Sequence, residues 1–255
     1  MSDKVISFIQ PSRNNLKYLE WSYNSIRKNL GYRHEIMFGD DFSDDGTWEW
    51  LKEIEKKDPN VKIFRNDGPD RKGIVYWYDF LCEKASNEIV MFFHADMYAC
   101  PNMDVEVLKH LEKGKVVTAT RIEPSLHPDG PEKILKDFGI EPEEFDELGL
   151  LEFVESCEDK TTEGIFAPWA IYKEDYWKTG GHDKLFAPQS KEDSDIFNRF
   201  HLLGLQFIQT WKGLVYHMTS RGSRFNPSSG GAPGKDSPEW IHTTTKNMRN
   251  FIRKW

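Results

Sequence analysis

Cysteine is scarce in this chain. The three present, Cys82, Cys100 and Cys157, are odd in number and widely spaced, which argues against a disulfide framework or a thiolate zinc site and leaves reduced thiols. Long apolar runs are also missing. Val5-Ile6-Ser7-Phe8-Ile9, directly after Met1-Ser2-Asp3-Lys4, is too short for a signal peptide, and nothing approaches the ~18 apolar residues of a membrane span. The expectation is a soluble, cytoplasmic protein without a transmembrane segment. Nor is there a basic block: 34 Lys and Arg are scattered among 42 Asp and Glu for a net charge of −8, which argues against nucleic acid as a partner. An anionic ligand would therefore need local basic side chains or a metal.

What the sequence does have is a regular alternation. Strand patterns at Val5 to Gln10, Glu35 to Phe38, Val61 to Phe64 and Ile89 to Phe93 recur with a helical pattern between each pair. Those helices are the 3.6-residue series Leu16, Leu19, Tyr23, Ile26, Leu30, then Trp48 to Lys57, then Val75 to Ala85. This is βαβ spacing, which predicts a parallel sheet with right-handed crossovers, and ligands bind at the carboxyl ends of such strands. Pro11 to Asn14, Asp40 to Thr47, Asn66 to Gly73 and His94 to Tyr98 all fall at that edge. The second half predicts strands near Val116 to Thr120, Phe166 to Tyr172, Gln206 to Thr210 and Gly213 to Tyr216, and a helix over Glu192 to Leu203. The acidic stretch Glu141 to Glu158 reads as solvated surface helices. Ser220 to Pro238 has the composition of a mobile loop, followed by helical spacing from Glu239 to Trp255.

Two polar clusters end apolar runs. Asp40-Asp41-Phe42-Ser43-Asp44-Asp45-Gly46-Thr47 follows Ile36-Met37-Phe38, and His94-Ala95-Asp96 follows Ile89 to Phe93. Two residues apart at a strand end, His94 and Asp96 lie on one side and can share a divalent cation. With Thr179-Gly180-Gly181-His182-Asp183 and Glu192-Asp193-Ser194-Asp195, these pieces resemble, in order and spacing, the inverting family 2 glycosyltransferases of the GT-A fold, over roughly residues 4 to 217.

The resemblance implies an α/β fold: a single GT-A-type domain whose mostly parallel nucleotide-binding sheet is flanked by helices, with an irregular C-terminal acceptor side. Residues 1–100 would form the nucleotide-binding half and 101–217 the acceptor and catalytic half. Residues 218–255 would pack a mobile loop and helix on the same domain. It further implies a nucleotide-sugar donor, with a UDP-sugar expected, and transfer to an acceptor hydroxyl of a carbohydrate, lipid-linked or protein acceptor. Asp41 would accept a hydrogen bond from the base, with Pro11, Ser12 and Arg13 along the base and ribose and Arg71 as a forked donor to the nucleotide. Asp96 would bind Mn²⁺ or Mg²⁺. His94 stands where the family has an aspartate; it either ligates the metal, which would favour manganese, or contacts the ribose, or packs on the sheet. His217, after a short apolar strand, is a candidate further ligand. Arg221 and Arg224 are candidates to clamp the diphosphate as the loop closes.

By the same resemblance Asp193 would be the catalytic base, against the structural alternative of a helix-dipole partner, and Glu192 would orient it or bind the acceptor. Trp169, Trp177 and Trp211 are candidates for a sugar platform. Two other function classes are consistent with the strand ends. A sugar nucleotidyltransferase would carry a Gly- and Arg/Lys-rich loop where Pro11-Ser12-Arg13-Asn14 stands. A non-catalytic binding module would not need Glu192 and Asp193.

Overall fold

The structure, a computed structural model, describes residues 4–126, 129–222 and 224–255. Met1 to Asp3, and Ser223 within the expected mobile loop, lie outside the described residues. In chain order the elements are β1 (Ile6–Ser12), α1 (Leu16–Asn29), β2 (Glu35–Asp40), α2 (Thr47–Lys57), β3 (Val61–Arg65), α3 (Gly73–Lys84), β4 (Ile89–Phe92), β5 (Met97–Ala99), α4 (Met103–His110), β6 (Lys115–Glu123) and β7 (Lys133–Leu135). They continue with α5 (Glu147–Ser156), β8 (Thr161–Thr162), β9 (Trp169–Tyr172), α6 (Lys173–Trp177), α7 (Glu192–Leu202), β10 (Gln206–His217) and α8 (Pro238–Lys254).

All ten strands join one sheet in the order β3-β2-β1-β4-β9-β6-β10-β5, with β7 beside β6 and β8 beside β10. β1 to β4 pair parallel to one another, as do β6, β7 and β10. β9 lies antiparallel between β4 and β6, so the two parallel blocks point the same way and their carboxyl ends share one edge. That edge holds every polar cluster singled out in the sequence. The expected pair of short strands near the end of the sheet is one strand, β10, whose register shifts between Thr210 and Leu214; the intervening Trp211-Lys212-Gly213 form an irregularity of the bulge kind. β5, α4 and β7 are additions to the sequence reading.

Side-chain alternation explains why both faces of the sheet are covered. Phe8, Met91 and Phe93 join the core under α1, α2 and α4, whereas Ile9, Val90 and Phe92 join the core under α3 and α7. Each such side chain, once fully buried, contributes roughly 1.5–3 kcal/mol. Helix α3 comes so near the sheet that a Cβ on Gly39 would lie 2.4 Å from the Trp77 ring, so the glycine admits the helix whose residues form one wall of the cavity. A third core of Tyr18, Leu150, Val154, Ile122 and Tyr216 seats the acidic segment, with Leu150 and Val154 of α5 turned inward and its glutamates outward.

Candidate active site

A cavity of about 790 Å³ opens along the carboxyl edge and is lined from both halves of the chain, within the size range of small-molecule sites. Pro11, Ser12, Arg13, Asp41, Arg71, His94, Asp96, Glu192, Asp193, His217 and Arg224 all line it. Arg221 does not. Its guanidinium, expected at a diphosphate, is buried and instead donates to the Ile140 carbonyl and lies 3.4 Å from Glu141. The physical reason is that the acidic segment folds back over α1 and offers it a carbonyl and a carboxylate.

At the end of β2, Asp41 ties two strand ends together. Its Oδ1 accepts from Asn66 Nδ2 at 2.9 Å and from the Lys72 backbone N–H at 2.9 Å, while Oδ2 accepts from the Gly73 N–H at 2.8 Å. The neighbouring aspartates are structural. Asp45 accepts from Thr47 N at 3.1 Å and from Leu16 N at 3.0 Å, fixing the starts of α2 and α1. Arg71 bridges the β3–α3 loop to the far wall: it donates to Gln189 at 3.0 Å and pairs with Glu239 of α8. Arg224 is likewise engaged, with both oxygens of Asp236 within 3.0 Å and the Trp240 ring 5.7 Å away. Asn226 donates to the Arg13 carbonyl at 3.3 Å, so this part of the segment expected as a mobile loop is seated against the β1–α1 turn.

Below the middle of the cavity His94, Asp96 and His217 bring one ligand atom each to within 4.8 Å of the others. Asp96 Oδ2 accepts from the Arg221 backbone N–H at 2.6 Å, and Oδ1 lies 3.3 Å from His217 Nε2 without the alignment of a hydrogen bond. On the other side of the ring, His217 Nδ1 meets Glu123 at 2.6 Å, and Glu123 is in turn held by Lys133 at 3.0 Å and Arg121 at 3.5 Å. Burial would raise the Asp96 carboxyl, but the two imidazoles and the Arg221 amide hold it well below the usual range. Burial would lower His217, but Asp96 and Glu123 carry it up to about 9. Burial and then the neighbouring His217 push His94 down to about 4, which leaves it neutral with a lone pair to give. Two imidazoles and one carboxylate, with a buried Nε2 lacking a hydrogen-bond partner and a carboxylate fixing the opposite nitrogen, fit a divalent cation with manganese-tolerant ligands. The groups that favour a proton on His217 would favour that cation in its place.

On the opposite half, Ser190 and Lys191 both adopt left-handed backbone, at φ of 75° and 69°, and launch α7 so that Glu192 and Asp193 open into the cavity. Asp193 is exposed and accepts from the Ser194 N–H at 2.6 Å. Glu192 is buried, its Oε2 has no hydrogen-bond partner among the described residues, and burial followed by the Asp193 charge raises its carboxyl to about 8. Of the three tryptophans, Trp169 lines the cavity, stacked on Phe92 at 4.0 Å; Trp177 and Trp211 do not, and the Trp211 indole donates to Thr162 instead. Glu123, Lys133 and Arg121 escaped the sequence reading, as did Trp77 and Tyr78 of α3, which also line the cavity and whose buried Nε1 and Oη have no hydrogen-bond partner among the described residues.

A mixed sheet with this strand order, carrying carboxylates and imidazoles at one shared edge over a ligand-sized cavity, defines a domain of the GT-A class. The chain belongs to glycosyl transferase family 2, whose sequence profile it matches over residues 7–175. No curated protein matches it by sequence. Among solved structures it is similar to GalNAc-T7, crystallised with UDP, GalNAc and Mn²⁺, with a TM-score of 0.65 and 16% identity over 84% of this chain and 43% of that one. It is also similar to S. aureus TarS 1–349, at TM-score 0.59 and 14% identity over 85% of this chain and 61% of that one. The same TarS fragment in complex with UDP gives TM-score 0.58 and 14% identity over 83% and 60%. The chain thus spans 43% to 61% of the length of these structures, and at such identities the likeness is one of fold.

Proposed function

We propose that this chain transfers a sugar from a nucleotide-sugar donor, a UDP-sugar, to an acceptor hydroxyl with inversion and with help from a divalent cation. The observation that carries the reading is that Asp41, the His94-Asp96-His217 cluster and the Glu192-Asp193 pair, from separate parts of the sequence, all line one cavity. The crystallisation of GalNAc-T7 with UDP and Mn²⁺, and of TarS with UDP, supports the donor and metal class. In this reading the β1 and β2 ends receive the base, with Asp41 shaping the wall through its three donors and Ser12 and Arg13 offering unpartnered polar atoms. Asp96, His217 and His94 would hold a divalent cation, which would supply Lewis-acid charge for the leaving diphosphate. Asp193 takes the proton of the attacking hydroxyl, a contribution typically of ~10²–10⁴-fold. Glu192, neutral beside it, keeps a second negative charge away from the base and can donate a hydrogen bond to the acceptor. Arg71 and Arg224 keep α8 and its preceding segment in place as the outer wall.

The test is thermal stability with UDP, GDP or CMP, with and without Mn²⁺, on wild type and Asp96→Ala. A nucleotide at ~100 times its dissociation constant adds about 2.7 kcal/mol. A UDP shift that needs Mn²⁺ and disappears in Asp96→Ala supports the reading. Absence of a shift with every nucleotide overturns it.

A further inference from the structure

Helix α8 has two faces with different surroundings. Thr243 and Asn247 are buried against the domain, and Asn247 donates to the carbonyls of Phe186 at 2.7 Å and Gln189 at 2.8 Å. Ile241, Met248 and Ile252, which at about 100° per residue fall on one outer stripe, are instead 52%, 42% and 70% exposed, while Trp255, past the helix end, turns its indole back to Asp195. Beside that stripe run Lys246, Arg249 and Arg253. Arg249 and Arg253 are one turn apart, exposed, and have no ion pair or hydrogen bond among the described residues. The helix carries four basic residues against one acidic, within a chain of net charge −8.

A row of large apolar side chains flanked by unpaired cations is the pattern of a helix that lies in the interface plane of a bilayer, apolar side chains at the acyl boundary and cations on anionic headgroups. No helix among the described residues is long and apolar enough to cross a membrane, so this is a surface contact. A second copy packed through this stripe would bring a second Arg249 and Arg253 to the same interface, while the one acidic residue of the helix, Glu239, is already paired with Arg71. We propose that the outer stripe of α8 docks this protein onto an anionic lipid surface. The stripe is about 17 Å long from Ile241 to Ile252. Trp240 and Thr244, on its flank, line the cavity, so docking brings that wall to the headgroups. If the transfer reading holds, the acceptor is then one carried on a lipid; that consequence rests on the reading above, whereas the docking does not.

The test is flotation of the full chain with vesicles of phosphatidylglycerol and phosphatidylcholine, against vesicles of phosphatidylcholine alone, at low and high salt. The variants are Arg249→Glu/Arg253→Glu and Met248→Ser/Ile252→Ser, all at exposed positions and checked for wild-type melting. Wild type should float with the anionic vesicles at low salt, and binding should fall ten-fold or more on neutral vesicles, at high salt and in either variant. No flotation with anionic vesicles at low salt, or flotation of both variants at the wild-type level, overturns the proposal. So does a wild-type dimer in sedimentation velocity that Met248→Ser/Ile252→Ser converts to monomer, because the stripe would then be a self-interface. UDP binding is read separately without vesicles: anionic flotation without a UDP response would sink the transfer reading and leave the docking standing.

Discussion

Replacing Glu192 with glutamine tests the electrostatics of the cavity directly. The folded carboxyl, buried and beside Asp193, keeps its proton up to about pH 8, whereas in the unfolded chain it ionises near 4.5. Between those values the folded state binds one more proton than the unfolded state. Its contribution to stability is therefore full below the unfolded value, declines as pH rises, and is gone above the folded one. A tenfold difference in proton affinity corresponds to about 1.4 kcal/mol, so the window holds at most about 5 kcal/mol, less what cavity water screens. Glutamine has the same shape and no proton to lose. Urea unfolding of both proteins from about pH 5 to about pH 9 should show the wild type losing a few kcal/mol relative to Glu192→Gln as pH rises. Turnover at neutral pH should survive the substitution, because the neutral acid and the amide present similar groups. Parallel stability curves would refute the reasoning, since Glu192 would then be ionised or well hydrated in the folded protein.

Asp193→Asn should lower turnover by ~10²–10⁴-fold while the UDP-dependent thermal shift is retained; an active Asp193→Asn enzyme would remove this residue from the role of base. Glu123→Gln should weaken Mn²⁺ affinity ~10- to 100-fold, because it takes away the carboxylate that fixes His217 and balances Lys133 and Arg121. A metal titration followed by thermal stability, with unchanged affinity in the variant, would count against that support role. Tyr78→Phe should leave stability unchanged or raise it by about 1 kcal/mol, since the phenol Oη is buried without a partner, while weakening donor or acceptor binding. A loss of more than about 2 kcal/mol would show that the hydroxyl is satisfied within the fold.

The N-terminal half was legible because each of its first three strands is an apolar run followed by turn chemistry and a helix, and the fourth is an unbroken apolar run. Ile89 to Phe93 ending in His94-Ala95-Asp96 could be placed at the carboxyl edge from pattern alone. Legibility stopped where residues act through distant partners. Glu123 ends a strand whose last residues, Arg121-Ile122-Glu123, look like a surface, and only Lys133 and His217, brought in by β7 and β10, turn it into a buried carboxylate. Arg221 failed for the mirror reason: beside a Gly- and Ser-rich segment it reads as a free cation, yet Ile140 and Glu141 draw it inward. Asp41 was read as a ligand group, and its local role as a latch between β2 and the β3–α3 loop was hidden because two of its three donors are backbone amides that no sequence pattern displays.

Those amides point to a division of labour around the cavity. Asp41 has three donors, Asp96 has one backbone donor, and Glu192 Oε2, Tyr78 Oη, Trp77 Nε1 and His217 Nε2 have no hydrogen-bond partner among the described residues. A buried polar atom left unpaired costs about 1–3 kcal/mol, a cost that a ligand completing it can offset. Here the satisfied carboxylate lies at the ends of β2 and β3, where wall shape must be fixed before a base can be recognised. These four unsatisfied atoms lie along α3, the start of α7 and the end of β10, where a sugar, an acceptor hydroxyl and a cation would arrive in the transfer reading, and Ser12 Oγ and Arg13 Nε add two more at the end of β1, beside the base. Stability withheld from folding at those four atoms is free energy that a correctly shaped ligand can recover, and a ligand lacking the matching groups cannot.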